Sequence, residues 1–249
     1  ISFIPGMILR LIKRDIWIVA ENGDDAKDNG YAFFKYAMEN KSKKDIYYVI
    51  TKKSIYYDKL KKYNKNLLYK NSLKHNIYTI ASTKYISSQI GSGLPFPELV
   101  FNFQGTFIYR FKSIFLQHGI TQNKVQCLLK NESKVDLFCC AGNKEYDFVI
   151  NELGYNEENA KKTGFCRYDL LKDESKNSNK ILMMFTWRKQ FENDEKAADI
   201  YMNLYNDKIL AIQKLDNTLN KKADVVIENK TSLNTKTSLF YNFSSYSIM

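Results

Sequence analysis

The chain contains only two histidines among 249 residues, His75 and His118, so any proton transfer or metal binding by imidazole falls to one of two positions. His118 is the better placed. It follows the short apolar run at residues 113–117, which predicts a strand, and it precedes Gly119, which puts the ring on a loop at a strand's C-terminal end. In open α/β sheets that edge is where ligands bind. A neutral imidazole there can take the proton of an attacking hydroxyl, and the adjacent glycine lets backbone come close to a substrate. The competing reading is an ordinary loop histidine satisfied by its surroundings. His75 falls in a predicted helix over residues 72–77, beside Lys74 and with no strand end before it, and reads as structural or surface. The two histidines lie far apart with no acidic triplet near either, which argues against zinc.

Two arginines are placed to meet an anion. Thr186-Trp187-Arg188 comes directly after the apolar run at residues 181–185, again at an expected strand end; a guanidinium there can grip a phosphate bidentately and a threonine can add a hydroxyl donor. Arg167 sits in the glycine-containing turn Thr163-Gly164-Phe165-Cys166-Arg167-Tyr168-Asp169, with Asp169 as a nearby partner. Each can equally be an ordinary arginine at the start of a loop. No GxGxxG and no P-loop occurs, so neither a dinucleotide fingerprint nor a Walker site is supported.

The elements that must position these residues are short and alternate in type. Apolar runs of a few residues at 15–20, 46–50, 67–69, 78–81, 84–88, 113–117, 137–141, 161–163 and 181–185 read as buried strands. Helical patterns fall between them at 31–40, 72–77 and 144–153. Buried strands alternating with helices predict an α/β fold with a mostly parallel sheet covered on both faces. The apolar pattern stops after Gly164, and Lys172 opens a polar, turn-rich stretch to Asn179. The expected domains are therefore 1–170 and 171–249, with residues 189–219 helical and residues 231–249 without clear periodicity.

Composition narrows the partners. At 44% hydrophobic residues the chain can bury a core, and no run approaches the roughly 18 apolar residues of a spanning helix. Residues 1–75 hold 16 Lys+Arg against 8 Asp+Glu, and the remainder 22 against 19, so most of the net charge of +11 lies in the first third. Such a surface attracts phosphate-rich polymer, anionic lipid or nucleic acid; a plain solvated lysine surface is the alternative. Without an RNP, KH or zinc-finger pattern, nucleic acid is not expected. Ile4, Met7, Ile8, Leu11 and Ile12 share one helical face near the start, with Arg10, Lys13 and Arg14 opposite. A basic amphipathic helix of this kind either packs on its own domain or lies in a membrane interface. The four cysteines, Cys127, Cys139, Cys140 and Cys166, lack metal-site spacing and read as reduced core thiols.

Taken in order, these segments resemble the CDP-glycerol glycerophosphotransferase family of teichoic acid polymerases. The resemblance is carried by Trp17-Ile18-Val19-Ala20-Glu21, Asp28-Asn29-Gly30-Tyr31, Ser72-Leu73-Lys74-His75, Tyr85-Ile86-Ser87-Ser88, Phe115-Leu116-Gln117-His118-Gly119, Thr163-Gly164 with Arg167 and Asp169, and Thr186-Trp187-Arg188. It implies a GT-B-like architecture: a Rossmann-like first domain on the acceptor side and a second, here incomplete, on the nucleotide side. It further implies transfer of glycerol phosphate from CDP-glycerol to the terminal hydroxyl of a lipid-linked poly(glycerol phosphate), at the cytoplasmic face of a bacterial membrane, with no metal or cofactor. On that basis His118 is the base. Gln117, Gly119, Asp28, Asn29, Ser87 and Ser88 fall to substrate binding, as do Arg167, Thr186 and Arg188. The anionic membrane surface is a further expected partner.

The sequence also departs from the family pattern. Members carry a second histidine in a Lys-Pro-His-Pro-like setting and an Asp-Tyr-Ser-Ser-like motif in the nucleotide domain. No histidine follows Arg188, and Asn242-Phe243-Ser244-Ser245-Tyr246 echoes the second motif without its acid. With Ile1 at its start, the chain is therefore expected to be a truncated or degenerate copy with an incomplete donor site. A non-catalytic member that binds anionic polymer or membrane, or a ribitol-phosphate transferase, are the alternatives.

Overall fold

A computed structural model describes residues 1–172 together with the strand segments Lys180–Met184 and Asp224–Glu228. The chain divides into two compact units, Ile1–Leu171 and Lys172–Met249.

The first unit is built on seven parallel strands: β1 (Ile16–Ala20), β2 (Asp45–Ile50), β3 (Leu67–Tyr69), β4 (Lys84–Ser87), β5 (Lys112–Phe115), β6 (Leu137–Cys140) and β7 (Ala160–Lys162). Their order in the sheet is β3-β2-β1-β4-β5-β6-β7, so the direction of winding reverses between β1 and β4. Side chains alternate across a strand, and both faces are covered. Ile16, Ile18 and Ala20 of β1 join Tyr47, Val49 and Leu68 in one core, while Val19 joins Ile46, Tyr48 and Ile50 in the other. That two-sided burial is why these strands are apolar at nearly every position. A third cluster, around Phe115, Phe138 and Tyr155, supports β5 to β7.

Seven α-helices accompany the sheet: α1 (Phe3–Ile12), α2 (Asn29–Glu39), α3 (Tyr57–Leu60), α4 (Leu73–Ala81), α5 (Pro97–Phe103), α6 (Lys130–Ser133) and α7 (Asn143–Leu153). Phe34 and Ala37 of α2 pack in the core of one face, Ile80 and Ala81 of α4 in that of the other. The α/β class expected from the alternating pattern is the observed one. Residues 78–81 differ from expectation: they are the last turn of α4, not a strand. Ser72 caps that helix by accepting the His75 N–H at 3.1 Å, and the buried Thr79, Ile80 and Ala81 continue its inner face, so local β-branched character yields to tertiary packing.

Helix α1 turns most of its apolar face outward, and of that face only Met7 packs on the core. Ile4, Ile8, Leu11 and Ile12 are 69, 52, 78 and 73% exposed, whereas Gly6 and Arg10 are buried. Gly6 permits the approach to α4, since a Cβ there would lie 2.7 Å from Ile80 Cβ. Arg10 then donates to the carbonyls of Phe107 and Ile108, both at 2.7 Å, and to that of Ile80 in the last turn of α4, where helix carbonyls lack intrahelical partners. Three carbonyls draw the arginine inward and leave the apolar stripe outside. Of the cysteines, Cys139 and Cys140 are core residues whose thiols burial pushes up to about 11 and about 12; Cys127 is exposed, contrary to the core reading, and all four are free thiols.

In the second unit, the described strands β8 (Lys180–Met184) and β9 (Asp224–Glu228) pair in parallel from Lys180 with Asp224 to Met184 with Glu228.

Candidate active site

In a doubly wound sheet the crevice lies beyond the C-terminal ends of the strands where the winding reverses. Here that edge is formed by the loops after β1, β4 and β5, and the turn after β7 reaches it through Arg167. Asp28 caps α2, its Oδ1 accepting the Asn29 N–H at 2.8 Å. The same oxygen takes Arg167 Nη1 at 2.5 Å, and that nitrogen also lies 3.2 Å from the carbonyl of His118. Asn29, fully buried, sends Nδ2 to the carbonyls of Leu116 (3.2 Å) and Gln117 (2.7 Å), while its Oδ1 accepts the Arg167 N–H at 3.0 Å. One amide thus ties three chain segments together.

The first βα turn, where such folds hold phosphate on helix N–H groups, is occupied by the protein itself. Glu21, 2% exposed, accepts the N–H groups of Lys27 (3.1 Å), Asp28 (2.8 Å) and Tyr31 (3.0 Å). Ser88 Oγ accepts the fourth, from Gly30, at 2.7 Å. Gly30 is required there, because a Cβ would stand 2.8 Å from the Ala20 carbonyl oxygen. Burial raises the Glu21 carboxyl above its ordinary range, the three N–H bonds opposing that shift.

His118 stands on the loop after β5, exposed. The residue before it, Gln117, is in the left-handed region at φ 63°, which costs a non-glycine residue about 1–2 kcal/mol. Its buried side chain holds that conformation: Nε2 donates to Glu145 Oε1 at 2.7 Å and to the Cys139 carbonyl at 3.3 Å, and Oε1 accepts from Thr121 Oγ1 at 2.7 Å. The His118 ring packs back so that Nδ1 is 3.2 Å from the Ser88 carbonyl. A carbonyl oxygen only accepts, so Nδ1 carries the proton and Nε2 of the neutral ring keeps a free lone pair. A Cβ on Gly119 would meet nothing within 4 Å, so the backbone just after His118 borders open space. An exposed, oriented proton acceptor beside an arginine is suited to removing a proton from a hydroxyl that attacks phosphorus.

The structure therefore brings His118, Gln117, Gly119, Asp28, Asn29, Ser88 and Arg167 to one edge, with Asn29, Gln117 and Ser88 buried in support of it. Ser87 is turned away, donating to the Gln89 carbonyl at 2.6 Å and accepting the Gln89 N–H. Thr186 and Arg188 lie outside the described residues. Among those described, no group of three or more His, Cys, Asp or Glu is arranged to hold a metal. His75 is buried in the first turn of α4, a few residues past the end of β3, so that a strand end does precede it, contrary to expectation. Sequence reasoning passed over Glu145 and Thr121. The legible signal was an acid in the first turn of a predicted helix, where it meets unpaired N–H groups.

A doubly wound parallel sheet, its winding reversed between β1 and β4, with a histidine on the loop after β5 defines the α/β class of this protein. Residues 5–246 match the family model described as CDP-glycerol:poly(glycerophosphate) glycerophosphotransferase, and the chain belongs to that family. It is 35% identical over 181 residues to the minor teichoic acid biosynthesis protein GgaB of Bacillus subtilis (strain 168), a stretch that is 71% of this chain and 20% of GgaB. The solved structure of the wall teichoic acid polymerase TagF superposes with a TM-score of 0.51 at 13% identity, covering 91% of this chain and 61% of TagF. A histidine-to-alanine variant of TagF gives 0.53 at the same identity, over 91% and 60%. At that identity the likeness concerns the fold.

Proposed function

We propose that this chain carries the acceptor-side machinery of a glycerol phosphate transferase that uses CDP-glycerol to extend a lipid-linked teichoic acid, the nucleotide being held by residues of the second unit. The observation that carries the reading is His118: in a chain of this family, it is exposed on the loop after β5 with Nδ1 against the Ser88 carbonyl, which leaves Nε2 as the acceptor. In the reaction the acceptor's terminal hydroxyl oxygen bonds to the phosphorus that bears glycerol, its proton passes to Nε2, and the bond to CMP breaks so that CMP leaves with the electron pair. Arg167, fixed by Asp28, lends positive charge where charge accumulates on phosphate. The buried Glu21 supports the assignment of sides, since its carboxylate fills the N–H cradle that a pyrophosphate would otherwise use. The exposed Ile4, Ile8, Leu11 and Ile12 beside Arg14 suit contact with the anionic cytoplasmic face of the membrane, where such an acceptor is anchored.

The test is release of CMP from CDP-glycerol with a lipid-linked acceptor, for the chain and for His118→Ala, with CDP-ribitol in parallel. Turnover that the substitution lowers by roughly 100-fold or more supports the reading, and equal turnover in both refutes it. The exposed apolar face of α1, formed by Ile4, Ile8, Leu11 and Ile12, favours the second reading, a non-catalytic binder of polymer or membrane. That reading predicts vesicle or polymer binding without CMP release in either protein.

A further inference from the structure

Behind the exposed edge lies a second carboxylate to which no role has been given. Glu145, in the first turn of α7, is 4% exposed. Its Oε1 accepts Gln117 Nε2 at 2.7 Å and the Thr121 N–H at 2.5 Å, and its Oε2 accepts the Ala141 N–H at 2.6 Å. Three donors from two loops therefore converge on one carboxylate. Two of them belong to the loop that carries His118, and the third fixes the loop after β6 against it. Gln117 is in the left-handed conformation and directly precedes His118, so any relaxation of its backbone toward the ordinary region would swing the imidazole off the Ser88 carbonyl.

We infer that Glu145 is a positioning residue for His118: acting through Gln117 and Thr121, it sets the direction of the ring and, through the Ser88 contact, which ring nitrogen is free. The inference concerns the site read above as catalytic, yet its geometry does not depend on the identity of the substrate. Replacement by glutamine keeps volume and shape. An amide has a single acceptor oxygen, however, so one of the two positions now held by carboxylate oxygens must present an N–H to another N–H. The lost bonds are charge-assisted and buried, the setting in which a missing partner is felt most.

The readout is the pair of histidine rings, resolved by nitrogen-15 NMR of the histidine-labelled full chain at neutral pH. In the unaltered protein His118 shows the tautomer protonated at Nδ1. Glu145→Gln shifts it toward a tautomer mixture, while the signals of His75, which is buried elsewhere in the same unit, stay in place and report an intact fold. In the CMP-release assay the same variant lowers kcat by roughly 10- to 100-fold and leaves KM for CDP-glycerol within about twofold. Should the glutamine variant not fold, Thr121→Val removes only the Thr121 Oγ1 bond to Gln117 and must still move the His118 signals. Unchanged His118 signals in a folded Glu145→Gln or Thr121→Val protein overturn the inference. A shifted tautomer in a chain that releases no CMP sustains the positioning role and instead sinks the transferase reading.

Discussion

Acidification should unfold the first unit through His75, and the size of the effect follows from its surroundings. His75 is 0% exposed. Its Nδ1 accepts the Asn71 N–H at 3.2 Å, so the proton of the neutral ring sits on Nε2, which is buried without a hydrogen-bond partner. Charging the ring would put a second proton on Nδ1, directly against the Asn71 N–H. Burial first, and then the nearby Lys70 ammonium, hold its pKa down to about 4, against 6.5 for an unhindered imidazole. The unfolded chain therefore takes up the proton first, and stability falls as pH drops below about 6.5 until the folded form also binds it near 4. At 1.36 kcal/mol per unit the full loss is about 3 kcal/mol, of which about 2 kcal/mol has gone by pH 5. Carboxylates titrate in the lower part of this window, so the measurement is a difference. Urea midpoints are followed by circular dichroism from pH 7.5 to 4 for the chain and for His75→Asn, whose Oδ1 replaces Nδ1 as acceptor for Asn71. The gap between the two should narrow or reverse by about 2 kcal/mol between pH 7 and pH 5. A gap that stays constant over that range refutes the claim that His75 is held neutral by burial.

Two further substitutions probe the site and the first helix. Asn29→Leu leaves the carbonyls of Leu116 and Gln117 and the N–H of Arg167 unpaired in the interior; at about 1–3 kcal/mol for each group stranded, a loss of at least about 3 kcal/mol in urea unfolding is expected, and a loss below about 1 kcal/mol would show that water replaces the amide. Leu11→Glu combined with Ile8→Glu alters only exposed positions, so unfolding should shift by no more than about 0.5 kcal/mol, while cosedimentation with vesicles rich in anionic lipid should fall to background; undiminished binding would remove α1 from the membrane reading.

What the sequence disclosed and what it hid divide along physical lines. Strands such as β1 and β2 were legible because burial on both faces leaves a continuous apolar run that no surface element shows. The loop position of His118 was legible for the same reason, since an apolar run ends just before it. The orientation of α1 was not. An amphipathic pattern says which side is apolar, but Arg10 enters the interior because three backbone carbonyls accept from it, and carbonyls carry no signature in sequence. The C-terminal half of α4 was misread because Thr79 and Ile80 are locally strand-like, whereas the Ser72 cap and the packing of Ile80 under Gly6 decide for helix. Glu145 was invisible as a partner of Gln117 because 28 residues separate them and only the adjacency of β5 and β6 closes that distance.

The arrangement of charge at the reversal edge has one more consequence for how such chemistry is divided. A Rossmann-like turn normally offers helix N–H groups to a phosphate, and here those groups are already bonded to Glu21 and Ser88. At the start of α2 the Asp28 carboxylate stands beside Arg167, which is tied to it, and the Glu21 carboxylate is buried beneath. On the reading proposed, such an edge suits a neutral hydroxyl steered to a base better than it suits a diphosphate. On that reading the histidine that activates the hydroxyl takes no part in choosing the nucleotide. His118→Ala should therefore lower turnover while leaving the preference for CDP-glycerol over other nucleotide donors unchanged in competition assays, and a changed preference would count against that reading.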